Sequence, residues 1–122
     1  MTADKPAYIL VDTKITDPVA YEDYKAAAKP IAEQYGGVYL TRGGKMDIIQ
    51  AELWDPARIV LVKFPSMAAA RAFLDSPEYA PVKSIRLAHS EATLLVLEGF
   101  QLVDAFARVF WAIWQWASLA KR

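Results

Sequence analysis

The 122-residue chain carries 14 Lys and Arg against 14 Asp and Glu, so it has no net charge and no electrostatic footprint for nucleic acid. It has no cysteine and a single histidine, His89, which excludes a disulfide framework, thiol chemistry and a histidine-rich metal site while leaving a carboxylate site open. The 55% apolar fraction, enriched toward the C-terminus, and a length suited to one domain imply a real core and a tail that has to be buried somewhere.

Met1 to Pro6 contains no apolar leader core, so a cytoplasmic location is expected. Tyr8, Ile9, Leu10 and Val11 form a β-favouring run that predicts a first strand over 7–13. Asp17-Pro18 is a helix start, because the carboxylate can accept first-turn amides and proline needs no donor there. Tyr21, Tyr24, Ala28, Ile31, Ala32 and Tyr35 then line one helical face, with Pro30 expected to kink it. Gly36-Gly37 ends this helix and Gly43-Gly44 ends the short strand that follows, since glycine reaches backbone angles costly to other residues.

Residues 46–53 read as a further β-like stretch, with a turn at Asp55-Pro56. Ile59 to Phe64 is almost unbroken apolar sequence and predicts a central strand covered on both faces. Ser66 caps a helix over 67–75, Ser76 to Tyr79 opens a short further turn broken by Pro81, and Ala92 to Leu97 is the last strand. This order predicts an α+β, ferredoxin-like βαββαβ sandwich with its helices on one face. The other, apolar face demands a cover, and a second subunit placed over Leu61 and Val96 is the economical one.

The ordered motifs Tyr35-Gly36-Gly37, Arg42-Gly43-Gly44, Trp54-Asp55-Pro56-Ala57-Arg58, Phe64-Pro65-Ser66, Ala69 to Ala72, Ser76-Pro77-Glu78-Tyr79, Arg86 and Leu97-Glu98-Gly99 resemble the domain-of-unknown-function 1330 family over residues 6–99. The resemblance implies a dimeric α+β barrel, two ferredoxin-like protomers pressing their open sheets together. It also implies a superfamily that includes cofactor-free monooxygenases, isomerases, dehalogenases and haem enzymes, so the reaction stays open. No cofactor or metal is expected. Ala51-Glu52-Leu53 departs from the family pattern, in which a glycine commonly precedes the tryptophan.

Residues 1–99 are therefore read as the barrel domain and 100–122 as a C-terminal amphipathic helix that the family does not normally carry. Gln101, Asp104, Arg108, Gln115, Ser118 and Arg122 form a narrow polar seam on an otherwise apolar segment. Phe106, Phe110, Trp111, Trp114 and Trp116 are its candidate contact residues, either for homo-oligomerisation or, with Lys121-Arg122, for a membrane surface. An engineered or peptide-docking appendage is a third alternative. A membrane span is not expected, because the uncharged run from Val109 to Ala120 falls short of the about 20 residues required.

Candidate ligand-binding residues are Arg42, Tyr79, Arg86 and His89. A guanidinium can hold a carboxylate or enolate oxygen through a bidentate fork, and a histidine can act as a base near neutral pH. Against these stand ion pairing of the arginines with Asp47, Glu78 or Glu91, and a merely solvated or hydrogen-bonded His89. Tyr8, Tyr24 and Tyr39 are further hydroxyl donors, and Lys63 interrupts the third apolar run, either pointing inward or snorkelling to an edge. Gly43-Gly44 lacks the following helix and lysine of a phosphate loop. Two readings follow: a binding module or cofactor-independent enzyme for a small, partly apolar, oxygen-bearing molecule, or a non-enzymatic assembly or membrane-associated module working through its tail. A pocket of roughly several hundred cubic ångströms would favour the first.

Overall fold

The computed structural model describes residues 5–100 and 113–117. Four strands, β1 (Ala7–Ile15), β2 (Val38–Arg42), β3 (Ile59–Phe64) and β4 (Ser90–Glu98), form one antiparallel sheet in the order β2-β3-β1-β4. Three helices join them: α1 (Pro18–Gln34), α2 (Met67–Leu74) and α3 (Ala80–His89).

The local signals act through identifiable bonds. Asp17 accepts from the Ala20 amide at 3.2 Å and Ser66 Oγ from the Ala69 amide at 3.0 Å, each satisfying a first-turn donor of its helix. Gly36, at φ +92°, lets the chain leave α1, and the Gly37 amide closes back on the Ala32 carbonyl at 2.8 Å. Pro30 sits inside α1, which nevertheless runs on to Gln34. Pro81 does not break a helix as expected. It lies in the first turn of α3, where its missing N–H costs nothing.

Residues 46–53 are not a strand. The segment pairs with none of the described strands, and its β-favouring residues stay outside: Ile49 is 87% and Leu53 97% exposed. The apolar run of β3 does mark a central strand, with β2 on one side and β1 on the other.

Strand register divides the sheet into two faces. Ile9 pairs with Val62 and Val96, and Val11 with Val60 and Leu94, all turned to the helices. Phe64 and Phe73 stack there with ring centres 5.6 Å apart, and Phe73 meets Tyr79 at 4.5 Å. Burying each such ring contributes roughly 1.5–3 kcal/mol before ordering costs. On the opposite face Leu10 pairs with Leu61 and Leu95, and Tyr8 with Lys63 and Leu97. Leu95 and Leu97 remain 40% and 43% exposed, so this is the open apolar face.

Val96 therefore does not accompany Leu61 on the open face. It packs into the helix-covered core, because side chains alternate along a strand and its neighbours Leu95 and Leu97 take the other side. Lys63 lies on the open face, half-buried. Of the tail, residues 113–117 are helical, with Ile113, Trp114 and Trp116 exposed. Phe106, Phe110 and Trp111, and most of the C-terminal helix expected over 100–122, lie outside the described residues.

Candidate functional site

A cavity of about 40 Å³ lies between the inner sheet face and the helices. Its floor is Ile9, Val11, Val60, Val62 and Leu94, and its wall is Tyr21, Tyr24, Phe73, Leu74 and Tyr79. Tyr39, Arg42, Arg58 and Lys25 complete it from β2, the approach to β3, and α1. At about 10–15 Å³ per water it holds roughly three waters or a group of similar bulk, not the several hundred cubic ångströms looked for from sequence. Larger depressions of about 420 and 630 Å³ border the exposed loop after β2, but they are open surface clefts with Ile48, Ile49, Leu53 and Trp54 along them.

Each polar group of the cavity is held from behind. Arg42 ends β2, lies 4.9 Å above the Tyr39 ring and donates to the Lys25 backbone carbonyl. Arg58 approaches Tyr21, 5.8 Å from its ring centre. Its path depends on Gly43, at φ +71°, where an added Cβ would lie 2.6 Å from Arg58 Nε. Asp12 fixes the backbone leading to Arg58. It accepts from the Ala57 and Arg58 amides at 2.8 and 2.9 Å and from the Trp54 indole N–H at 2.8 Å. Burial opposes the Asp12 charge, but the Arg58, Ala57 and Trp54 donors outweigh it and hold the carboxyl below the usual range.

Tyr79 enters from the turn before α3. The Ser76 hydroxyl donates to the Phe73 carbonyl at 2.8 Å and accepts the Tyr79 amide at 3.2 Å, leaving Tyr79 only 1% exposed. The Tyr24 and Tyr79 hydroxyls meet at 2.8 Å. Burial, followed by the neighbouring Tyr79, raises the Tyr24 pKa far above that of a free phenol, and burial raises that of Tyr39. Both are neutral hydroxyls at physiological pH. Arg86 is 6% exposed, is not among the residues lining the cavity, and has its Nε without a partner. Burial opposes its charge, but the Tyr79 hydroxyl and the other phenols hold its pKa above the ordinary value.

Of the four candidates, the fold brings Arg42 and Tyr79 to the cavity, whereas Arg86, though buried, is not among its lining residues. His89 is elsewhere: it ends α3, its carbonyl accepts the Thr16 amide at 2.9 Å, and Nδ1 lies 4.0 Å from Asp17 Oδ2. Among the described residues, neither Arg42 nor Arg86 forms an ion pair with Asp47, Glu78 or Glu91; Glu78 instead accepts from Tyr35 at 2.9 Å. Lys25 and Arg58 were not singled out from sequence. Arg58 closes the Trp54-to-Arg58 motif and could have been suspected from it, whereas Lys25 carries no local signal. Among the described residues no group of three or more acidic or histidine side chains could hold a metal ion. No helix among them is long and apolar enough to cross a membrane.

An antiparallel sheet in this strand order, covered by helices on one face and open on the other, defines the ferredoxin-like class of α+β proteins. The chain belongs to the family described as domain of unknown function (DUF1330), whose model matches residues 6–100. A protein of unknown function from Rhodopseudomonas palustris superposes with a TM-score of 0.64 at 20% identity, over 80% of this chain and 84% of that one. A dimeric ferredoxin-like protein of unknown function from Jannaschia sp. gives a TM-score of 0.60 at 19% identity, over 76% and 98%. SnoaB, a cofactor-independent oxygenase from Streptomyces nogalater, gives 0.58 at 13% identity, over 81% and 97%. At these identities the likeness is one of fold. No functionally curated protein matches the sequence.

Proposed function

We propose that the cavity binds a small, partly apolar molecule through an anionic oxygen group, in a homodimer formed over the open sheet face. The observation that carries this reading is the convergence of Arg42 and Arg58 on an aliphatic and tyrosine-lined cavity, with neither guanidinium ion-paired among the described residues. Lys25 adds a third cation, shared with Glu22 at 3.0 Å. Positive charge desolvated beside apolar surface favours an anion with a short hydrocarbon part. The described lining has neither histidine nor carboxylate, so it supports ligand binding better than proton abstraction by a cavity side chain. The cofactor-independent oxygenase among the structural neighbours makes chemistry without a cofactor compatible with such a fold, and dimeric neighbours support self-association.

The test is an NMR titration of the full chain with acetate, butyrate and benzoate. Saturable shifts are expected at Ile9, Tyr24, Tyr39, Arg42, Val60 and Tyr79, and Arg42→Gln should weaken binding by about tenfold, the effect of losing one charge-assisted hydrogen bond. Absence of a saturable response to all three acids would remove the anion-binding reading.

The exposed Ile113, Trp114 and Trp116 favour a second role, in which residues 100–122 make a further contact, with other subunits or a membrane surface. Removing residues 101–122 should then lower the mass in solution or abolish flotation with anionic liposomes. An unchanged mass, with neither form binding liposomes, would discard that role.

A further inference from the structure

β4 is an edge strand that turns an orderly row of backbone groups away from the sheet. It is outermost in the order β2-β3-β1-β4 and pairs with β1 in continuous register from Ser90 to Glu98. Two bonds beyond the ends of that ladder show which way each amide points. The Gly99 amide donates to the Pro6 carbonyl at 2.6 Å and the Thr16 amide to the His89 carbonyl at 2.9 Å, so the pairs built on even-numbered residues of β1 are the hydrogen-bonded ones. Thr93, Leu95 and Leu97 are therefore bonded to β1, whereas Ala92, Leu94, Val96 and Glu98 turn N–H and C=O outward, where no described strand meets them. Sheet edges are ordinarily blunted by shortness, proline, lysine or a bulge. β4 has nine residues, no proline, no lysine and no bulge in its pairing with β1, and its only charges are Glu91 and Glu98 near its ends.

The same chain holds a segment of matching kind. Residues 46–53 are close to β4 in length, have strand-like composition, pair with none of the described strands and carry Ile48, Ile49 and Leu53 exposed. In its own chain the segment follows β2, at the opposite edge of the sheet from β4. A second copy removes that separation. When two sheets stack by their open faces about a two-fold axis running along the strands, left and right exchange, and the β2 edge of each copy lies over the β4 edge of the other.

We propose that residues 46–53 of one copy add a strand to the outer edge of β4 in the other, and reciprocally, closing the two stacked sheets into one barrel. This rests on the homodimer over the open sheet face and names the segment that locks it. The main-chain bonds supply the pairing, and Ile49 and Leu53, which share one face of an extended segment, leave water together.

The test follows amide exchange in the full chain, residue by residue, at a concentration where wild type is dimeric. Thr93, Leu95 and Leu97 are an internal standard, held by β1 in monomer and dimer alike. The interleaved amides of Ala92, Leu94 and Val96 should exchange as slowly as these, together with alternate amides across residues 46–53. In a dimer mixed from isotope-labelled and unlabelled chains, contacts between residues 46–53 and β4 should cross from one chain to the other. Ile49→Pro and Gln50→Pro, made separately, should leave each chain folded, because neither residue belongs to a ladder of its own chain. Neighbouring amides of a strand point to opposite sides, so one of the two variants must lose a bond to β4 and raise the dimer dissociation constant by about tenfold. Fast exchange of the outward β4 amides in a wild-type dimer, or their protection without residues 46–53, overturns the edge pairing and leaves the homodimer standing. Equal dissociation constants for wild type and both proline variants do the same. A wild type that stays monomeric overturns the homodimer and the pairing together.

Discussion

The Asp12 carboxylate accepts the Trp54 indole N–H at 2.8 Å, tying the middle of β1 to a loop residue 42 positions away. With the Ala57 and Arg58 amides on its other oxygen, Asp12 converts an irregular segment into a fixed approach to β3. Arg58 thus reaches the cavity because a carboxylate on the first strand holds its backbone.

Asp12→Ala should therefore destabilise the fold by about 2 kcal/mol or more, since it leaves the Ala57 and Arg58 amides and the Trp54 indole without their acceptor. The folded-state pKa of Asp12 is depressed, so its stabilisation is present above the unfolded value near 4 and is lost as pH falls through the folded value. Urea unfolding of wild type and variant should show a gap at pH 7 that narrows below about pH 4. A gap of equal size at pH 7 and pH 2.5 would assign the effect to packing instead.

Gly43→Ala combines a positive φ with a Cβ set 2.6 Å from Arg58 Nε. The backbone strain costs about 1 kcal/mol, and the displaced arginine weakens anion binding as well. Thermal unfolding and the butyrate titration read the two effects separately. Retention of full affinity would show that Arg58 does not contact the ligand.

Leu61 and Leu95 flank Leu10 on the open sheet face. Leu61→Glu or Leu95→Glu should dissociate a homodimer formed there, because an unpaired charge buried in an interface costs several kcal/mol. Sedimentation analysis should find a folded monomer in place of the wild-type dimer. A monomeric wild type at micromolar concentration would count against the interface.

Ser76, a residue 5% exposed, loses both bonds of its hydroxyl in Ser76→Ala, leaving the Tyr79 amide without its acceptor. A loss of about 1–2 kcal/mol is expected, with the ring resonances of Tyr79 and Tyr24 shifted together. Unaltered Tyr24 resonances would argue that the turn before α3 does not set the hydroxyl pair.

The chain's own sequence determined the features whose cause lies within a few residues. Asp17 and Ser66 cap helices through amides three positions ahead, and Gly36 and Gly43 take the positive φ that ends a helix and a strand. These signals, in order, were enough for the ferredoxin-like class and the family. Residues 46–53 have strand-like composition but pair with none of the described strands, and a strand needs a partner as well as a propensity. Val96 and Leu95 look equivalent in sequence, yet pairing of Ile9 with Val96 turns one to the core and the other to the open face. The site is further still from local reach. Lys25 on α1, Arg42 on β2 and Arg58 before β3 meet at one cavity, while His89, the most conspicuous polar residue of the sequence, is held at the Asp17 end of α1. Capping and turn angles are fixed by bonds between near neighbours, whereas the convergence of cations and hydroxyls depends on strand register and helix packing, which only the folded chain brings into being.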